Sequence, residues 1–188
     1  MTVQHQIRRN STLEALARKA CVALSVLLAI CGVADAQAPS EYQVKAAFLL
    51  NFIKFVGWPA SSFESPTSPF SICILGDDPF GRDLDQVVEG ENISGRRVEV
   101  ARLQHGPIPK SCQVLFVSRS EKDPGFLNGV GPGVLTVSDR DRFLMEGGMI
   151  AFVIEDRHVR FDVSQRAASK GSLTMNARML NVARSVQK

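Results

Sequence analysis

The chain has 188 residues and a formal net charge of +3, a length that suits one domain with one core. Arg8, Arg9, Arg18 and Lys19 outweigh Glu14 and Asp35 in the first 36 residues, which leaves 18 basic and 17 acidic side chains beyond them. So balanced a remainder, with its basic residues scattered apart from the doublet Arg96-Arg97, lacks the electrostatic footprint of a nucleic-acid binder.

The first 36 residues have the order of an export signal: a basic stretch, an apolar run, then the small-x-small triplet Ala34-Asp35-Ala36. The apolar run, residues 20–33, is about 14 residues long, short of the ~20 that a spanning helix needs. The sequence therefore predicts a signal peptide over 1–36, cleavage after Ala36 and a working domain over 37–188. An uncleaved anchor is the alternative. A lipid-bearing Cys31 is another, although Ile30 is bulky for the position before a lipidated cysteine. Cys21 and Cys31 leave with the signal, so Cys73 and Cys112 remain. An even pair in an exported domain suggests a disulfide, with two separate buried thiols as the alternative.

From 42 to 56 the chain reads as a helix that is apolar on most sides, because Lys45, Asn51 and Lys54 share no stripe. Pro59 ends it, with Trp58 at the exit. A strand over 70–75 is apolar on both faces, as in a sheet covered on both sides. Asp78 as N-cap and Pro79 as first helical residue predict a helix running to about 89. Strands follow over 97–103 and 114–117, with a loop over 105–109 between them. Ser120 and Asp123 suggest a capping box before a short helix around Phe126 and Leu127. Gly131-Pro132-Gly133 precedes a strand over 134–137. Residues 149–154 and 159–163 read as a hairpin about Asp156-Arg157, of open turn type. A last helix is expected from about 171 to the end, with Leu173, Ala177, Leu180 and Ala183 on one stripe. The predicted fold is α/β: a single three-layer domain, with a mostly parallel sheet, helices on both faces and an antiparallel edge hairpin.

No nucleophile elbow, zinc-protease helix or phosphate loop is present. His105 and His158 are the histidines beyond the signal, and they lack the spacing of a zinc site. Asp77 and Asp78 could pair as acid and base, but with Pro79 they read better as a helix cap. Gly131-Pro132-Gly133 leads into a strand and reads as a turn, not a phosphate cradle. No catalytic residue, cofactor or metal ligand is assigned. Two recognition surfaces are candidates. His158, Arg160 and Asp162 alternate on one strand face and form either the wet side of a hairpin or a partner- or ligand-binding patch. Phe48, Phe52, Phe55 and Trp58 are either core or a dimer or partner surface.

The run 45–56 (KAAFLLNFIKFV) followed by Trp58-Pro59 closely resembles the opening of the YfiR family of periplasmic proteins. Further matches, in order, are 72–81 (ICILGDDPFG), 112–118 (CQVLFVS), 134–139 (VLTVSD), 147–150 (GGMI) and 159–163 (VRFDV). The resemblance implies a non-enzymatic repressor of a membrane-bound diguanylate cyclase, hence a part in cyclic di-GMP signalling and biofilm control. It also implies an outer-membrane lipoprotein that draws the repressor away, a homodimer, a Cys73–Cys112 disulfide and a link to small aromatic ligands. Three departures stand out: no cysteines for a second disulfide, Gly57 in place of a Glu before Trp-Pro, and Thr174-Met175-Asn176-Ala177-Arg178 in place of a Ser-rich stretch. A rival reading is a periplasmic small-molecule-binding module serving another membrane sensor such as a histidine kinase. An enzyme with an unrecognised site is the third.

Overall fold

Ser40 starts the first helix, α1 (Glu41–Phe55), with a capping box: its Oγ accepts the Gln43 N–H, and the Gln43 side chain accepts the Ser40 N–H. The computed structural model describes residues 38–104, 106–123 and 125–188. The expected signal peptide, Cys21, Cys31 and His105 lie outside them. Gln43, Ala47, Asn51 and Lys54 make the exposed stripe of α1, while Lys45 is buried. The apolar excess of α1 is absorbed within the chain, against the sheet and two other helices.

A two-residue strand β1 (Val56–Gly57) leads out of α1, and an eight-stranded sheet follows. Its strands in chain order are β2 (Phe70–Leu75), β3 (Asn92–Ile93), β4 (Arg96–Leu103), β5 (Cys112–Val117), β6 (Leu135–Ser138), β7 (Ile150–Glu155), β8 (His158–Ser164) and β10 (Ser185–Gln187). In space they run β10-β8-β7-β6-β5-β2-β4-β3. The pairs β4–β2, β2–β5, β5–β6, β6–β7 and β8–β10 are parallel; β7–β8 and β3–β4 are antiparallel. Chain direction reverses at β2, which connects outward to β4 and then back across itself to β5. The crevice between β2 and β5 is thus the switch point of a doubly wound sheet. β2 and β5 are buried along their whole length, as a sheet covered on both faces requires.

The larger core joins α1, α2 (Arg82–Val88) and the C-terminal segments to one face of the sheet. On the other face a smaller core gathers Leu75, Leu115, Val117, Val134 and Phe143 under the 3-10 helix Phe126–Gly129 and the segment around Leu144.

Three local expectations are corrected. Helix α2 starts at Arg82, not at Pro79. Asp78 Oδ1 accepts the N–H groups of Phe80 and Gly81 in a side-chain turn, and Gly81 at φ 52 separates that turn from the helix. Ser120 and Asp123 form no capping box, because Ser120 Oγ accepts the Asp77 N–H instead. The last helix is in fact four pieces: α3 (Gln165–Lys170), β9 (Thr174–Met175), α4 (Ala177–Val182) and β10. Ser164 caps α3, β9 pairs with β1, Asn176 caps α4, and the Arg184 N–H donates to Phe161 O. Long-range pairing on both sides overrides the local helical period. The expected antiparallel hairpin is β7–β8, at the end of the parallel run, and the three-residue β10 adds outside β8. Asp156 (φ 49) and Arg157 (φ 63) make its two-residue loop a type I′ turn, whose twist matches the strands.

Candidate functional site

Open α/β sheets bind ligands outside the carboxyl ends of their strands, at the switch point. Here hydrogen bonds tie the two strand ends together, and a cavity of about 390 Å³ lined by Leu75, Ile108, Glu121 and Phe126 lies beside them. The Ser118 N–H donates to Leu75 O at 2.9 Å and the Asp77 N–H to Ser120 Oγ at 2.8 Å. Gly76 sits at φ +86, and a Cβ there would stand 2.8 Å from Ser120 Oγ. Asp77 and Asp78 do not act as a carboxylate pair: Asp78 accepts from Arg102 Nε at 2.7 Å and holds its own turn.

Beside the crevice lies a charged cluster that sequence reasoning missed. Lys45 is 1% exposed, and its Nζ donates to Asp139 Oδ2 at 2.6 Å and to Glu41. The Tyr42 hydroxyl donates to the same Asp139 oxygen at 2.9 Å, and Arg119 Nε lies 3.3 Å from Oδ1. Burial pushes the Asp139 carboxyl up, but the Lys45 hydrogen bond and charge, with Tyr42 and Arg119, outweigh it and hold it below the usual range. Burial first, and then the bond to Asp139, push the Tyr42 hydroxyl up to about 12. The cluster pins α1 to the end of β6. Its only sequence signal is a lysine that breaks the apolar run of α1.

The hairpin carries the polar candidate surface on one face and packs against Phe48 of the aromatic group on the other. Ile154 pairs with Val159 and Phe152 with Phe161; these side chains share the α1 face of the sheet. Phe48 covers Phe152 and Phe161, with ring centroids 6.0 and 5.4 Å away. Past that ring the face is uncovered: Val159 is half-buried and Ile154 is 51% exposed. His158, Arg160 and Asp162 point to the opposite face. His158 and Arg160 are exposed, but Asp162 is buried and takes both Arg184 Nε at 2.8 Å and Nη2 at 2.5 Å. Those hydrogen bonds also raise the Arg184 pKa. Asp162 therefore fastens β10 to β8, and the polar patch reduces to His158 and Arg160.

Of the aromatic group, Phe52 is buried, stacked between Phe48 and the hairpin phenylalanines. Phe55 and Trp58 are half-buried, and Trp58 meets Phe70 edge-on at 5.3 Å, away from Phe48. Only Phe48 joins the hairpin surface.

Cys73 and Cys112 form a disulfide with Cα atoms 6.0 Å apart. Strict alternation would aim Cys112 away from Cys73. The register instead slips, from Ser71 opposite Cys112 to Ile72 opposite Val114, so that Gln113 is an extra residue. This bulge returns Cys112 to the Cys73 face. The Gln113 side chain repairs the ladder by accepting the Ser71 N–H at 2.9 Å and donating to Ser62 O at 2.6 Å.

Among the described residues no cluster of His, Cys, Asp and Glu could hold a metal ion, and no helix is long and apolar enough to cross a membrane. A family model described as YfiR/HmsC-like matches residues 42–184. A search of curated proteins found no match. Among solved structures the fold is similar to a crystal structure of a conserved domain protein from Vibrio cholerae O1 biovar El Tor strain N16961. The TM-score is 0.53 at 8% sequence identity, over 79% of this chain and 60% of that one. At that identity the likeness speaks for the fold alone.

Proposed function

The chain belongs to the YfiR/HmsC-like family, and from that premise we propose that it is a periplasmic regulator, not an enzyme, that represses a membrane-bound diguanylate cyclase by contact. The observation that carries this reading is the hairpin tip. Ile154 and Val159 extend an aromatic face beyond the cover of α1, with exposed His158 and Arg160 on the reverse side. An exposed apolar end beside charged residues suits a protein interface.

Such a repressor must bind one state of its partner better than the other. A ~100-fold repression needs about 2.7 kcal/mol of difference, which a modest interface can supply. The signal over 1–36 would deliver the domain 37–188 to the periplasm, where N-terminal sequencing should begin at Gln37. A homodimer and an outer-membrane lipoprotein that competes for the protein complete the proposal; light scattering of the purified protein at micromolar concentration tests the dimer.

Cyclic di-GMP in wild-type, deletion and complemented strains is the decisive measurement. Deletion should raise it and complementation restore it. Complementation with Ile154→Asp or Arg160→Glu should fail while the variant stays folded by circular dichroism. Equal levels in all strains would remove the cyclase and leave a ligand-binding module for another sensor, such as a histidine kinase.

A further inference from the structure

Several cations in this fold meet a carboxylate where their element packs on another: Arg102 on Asp78 and Asp85, Arg119 on Asp139, Arg140 on Glu146, Arg184 on Asp162. Among the cations without such a partner, three share one concave wall. Arg166 and Lys170, one turn apart on α3, and Lys188, just past β10, line a single cavity of about 410 Å³. No acidic side chain lines it, and none of the three cations has an ion pair or hydrogen bond among the described residues. The other polar groups in the wall are also donors. Ser164 is 7% exposed; its Oγ accepts the Ala167 N–H, which leaves the hydroxyl hydrogen to donate. Gln187 adds an amide.

Three cationic side chains around one concavity repel each other, and residues 37–188 otherwise hold 15 basic against 17 acidic side chains. The volume is that of a small-molecule site, and a concave wall grips a compact anion better than a flat surface. We propose that this cavity binds a small polyanion carrying two or more phosphate or carboxylate groups. The guanidinium of Arg166 takes one group in a forked contact, Lys170 and Lys188 act as point charges, and Ser164 donates from the floor. The site lies at the far end of β8 from the hairpin tip, about 20 Å along the strand. It is therefore separate from the partner surface and does not depend on that reading.

Inorganic pyrophosphate and citrate are the probes, titrated into the purified protein by calorimetry, with amide shifts followed by NMR. Saturable one-to-one binding is expected, with shifts centred on residues 164–171 and 187–188. Arg166→Gln with Lys170→Gln should weaken it by about tenfold or more, whereas Arg97→Gln, an exposed cation outside the cavity, should change it less than about twofold. Equal loss in both variants, or shifts spread over all exposed cations, would overturn the proposal. A second arm uses vesicles of phosphatidylglycerol in phosphatidylcholine. Vesicle binding that pyrophosphate does not displace, together with no saturable binding of the free anions, would assign the cations to a membrane surface and also overturn it.

Discussion

Lys45→Met tests whether the buried charge cluster holds α1 on the sheet. The perturbation keeps the length and apolar stem of the side chain and removes only the ammonium. At the 2.6 Å separation of Lys45 and Asp139, an effective dielectric of about 20 gives a gross attraction of about 6 kcal/mol. Desolvation of two buried ions offsets most of it, but removing one partner strands the other, which costs about 3–5 kcal/mol. Asp139 would keep Tyr42 and Arg119, so the low end applies: about 3 kcal/mol, and a Tm lower by about 6–12 °C for a domain of this size. Urea unfolding at pH 7 measures it. Lys45→Met with Asp139→Asn should cost less than the sum of the single changes by more than about 1 kcal/mol. The pH dependence adds a second readout. The folded-state pKa of Asp139 lies below its unfolded value near 3.9, so its stabilisation is complete above about pH 5 and is lost as pH falls through the folded value. Asp139→Asn should flatten that part of the acid limb. Tyr42, pushed up to about 12, acts at the other end: stability should fall as pH rises past about 10. A Lys45→Met cost below about 1 kcal/mol, with an unchanged acid limb in Asp139→Asn, would refute the reasoning.

Three further outcomes are expected. Replacing Cys73 and Cys112 together by Ala should lower stability by about 4 kcal/mol on the loop-entropy model for a separation of 39, read from urea midpoints without reductant. Asp156→Asn with Arg157→Gly relieves two positive φ angles in the hairpin turn and should raise stability by about 1 kcal/mol in thermal unfolding. Gly133→Ala meets both a φ of +79 and a Ser62 Oγ 2.1 Å from the new Cβ, so a loss of about 2–3 kcal/mol should appear in the same assay.

What could be read from the sequence was what short windows encode. Apolar runs with β-branched residues marked the buried strands, and the run 45–56 marked the first helix with its aromatic side. The spacing of strands and helices gave a parallel sheet with a hairpin, and the ordered motifs gave the family. At the candidate site, period two placed His158 and Arg160 on one strand face. It could not tell that Asp162, next on that face, is taken by Arg184, 22 positions later. Of the 3.6-residue stripe expected at the C-terminus, Leu173 is buried, Leu180 and Ala183 are half-buried and Ala177 is exposed; the core instead takes Leu173, Met175 and Met179. They reach it from a strand, a turn and a helix, because β1 and β8 offer backbone partners that a local period does not reveal.

The sequence by itself determined the α/β class, the pair Cys73 and Cys112, the aromatic face of α1 and the family. The elements and the aromatic face are carried by residue type and spacing within about 15 positions, and the class and family by the order of such segments along the chain. Tertiary structure alone decided that Lys45 is buried, because its partner Asp139 lies 94 residues away. It decided that Cys112 faces Cys73, because an extra residue at Gln113 turns the strand over. It also gathered Arg166, Lys170 and Lys188 around one cavity, while Arg102, Arg119, Arg140 and Arg184 meet carboxylates. Burial, register and charge pairing depend on which distant elements become neighbours, and local pattern constrains that choice only through the faces it makes apolar.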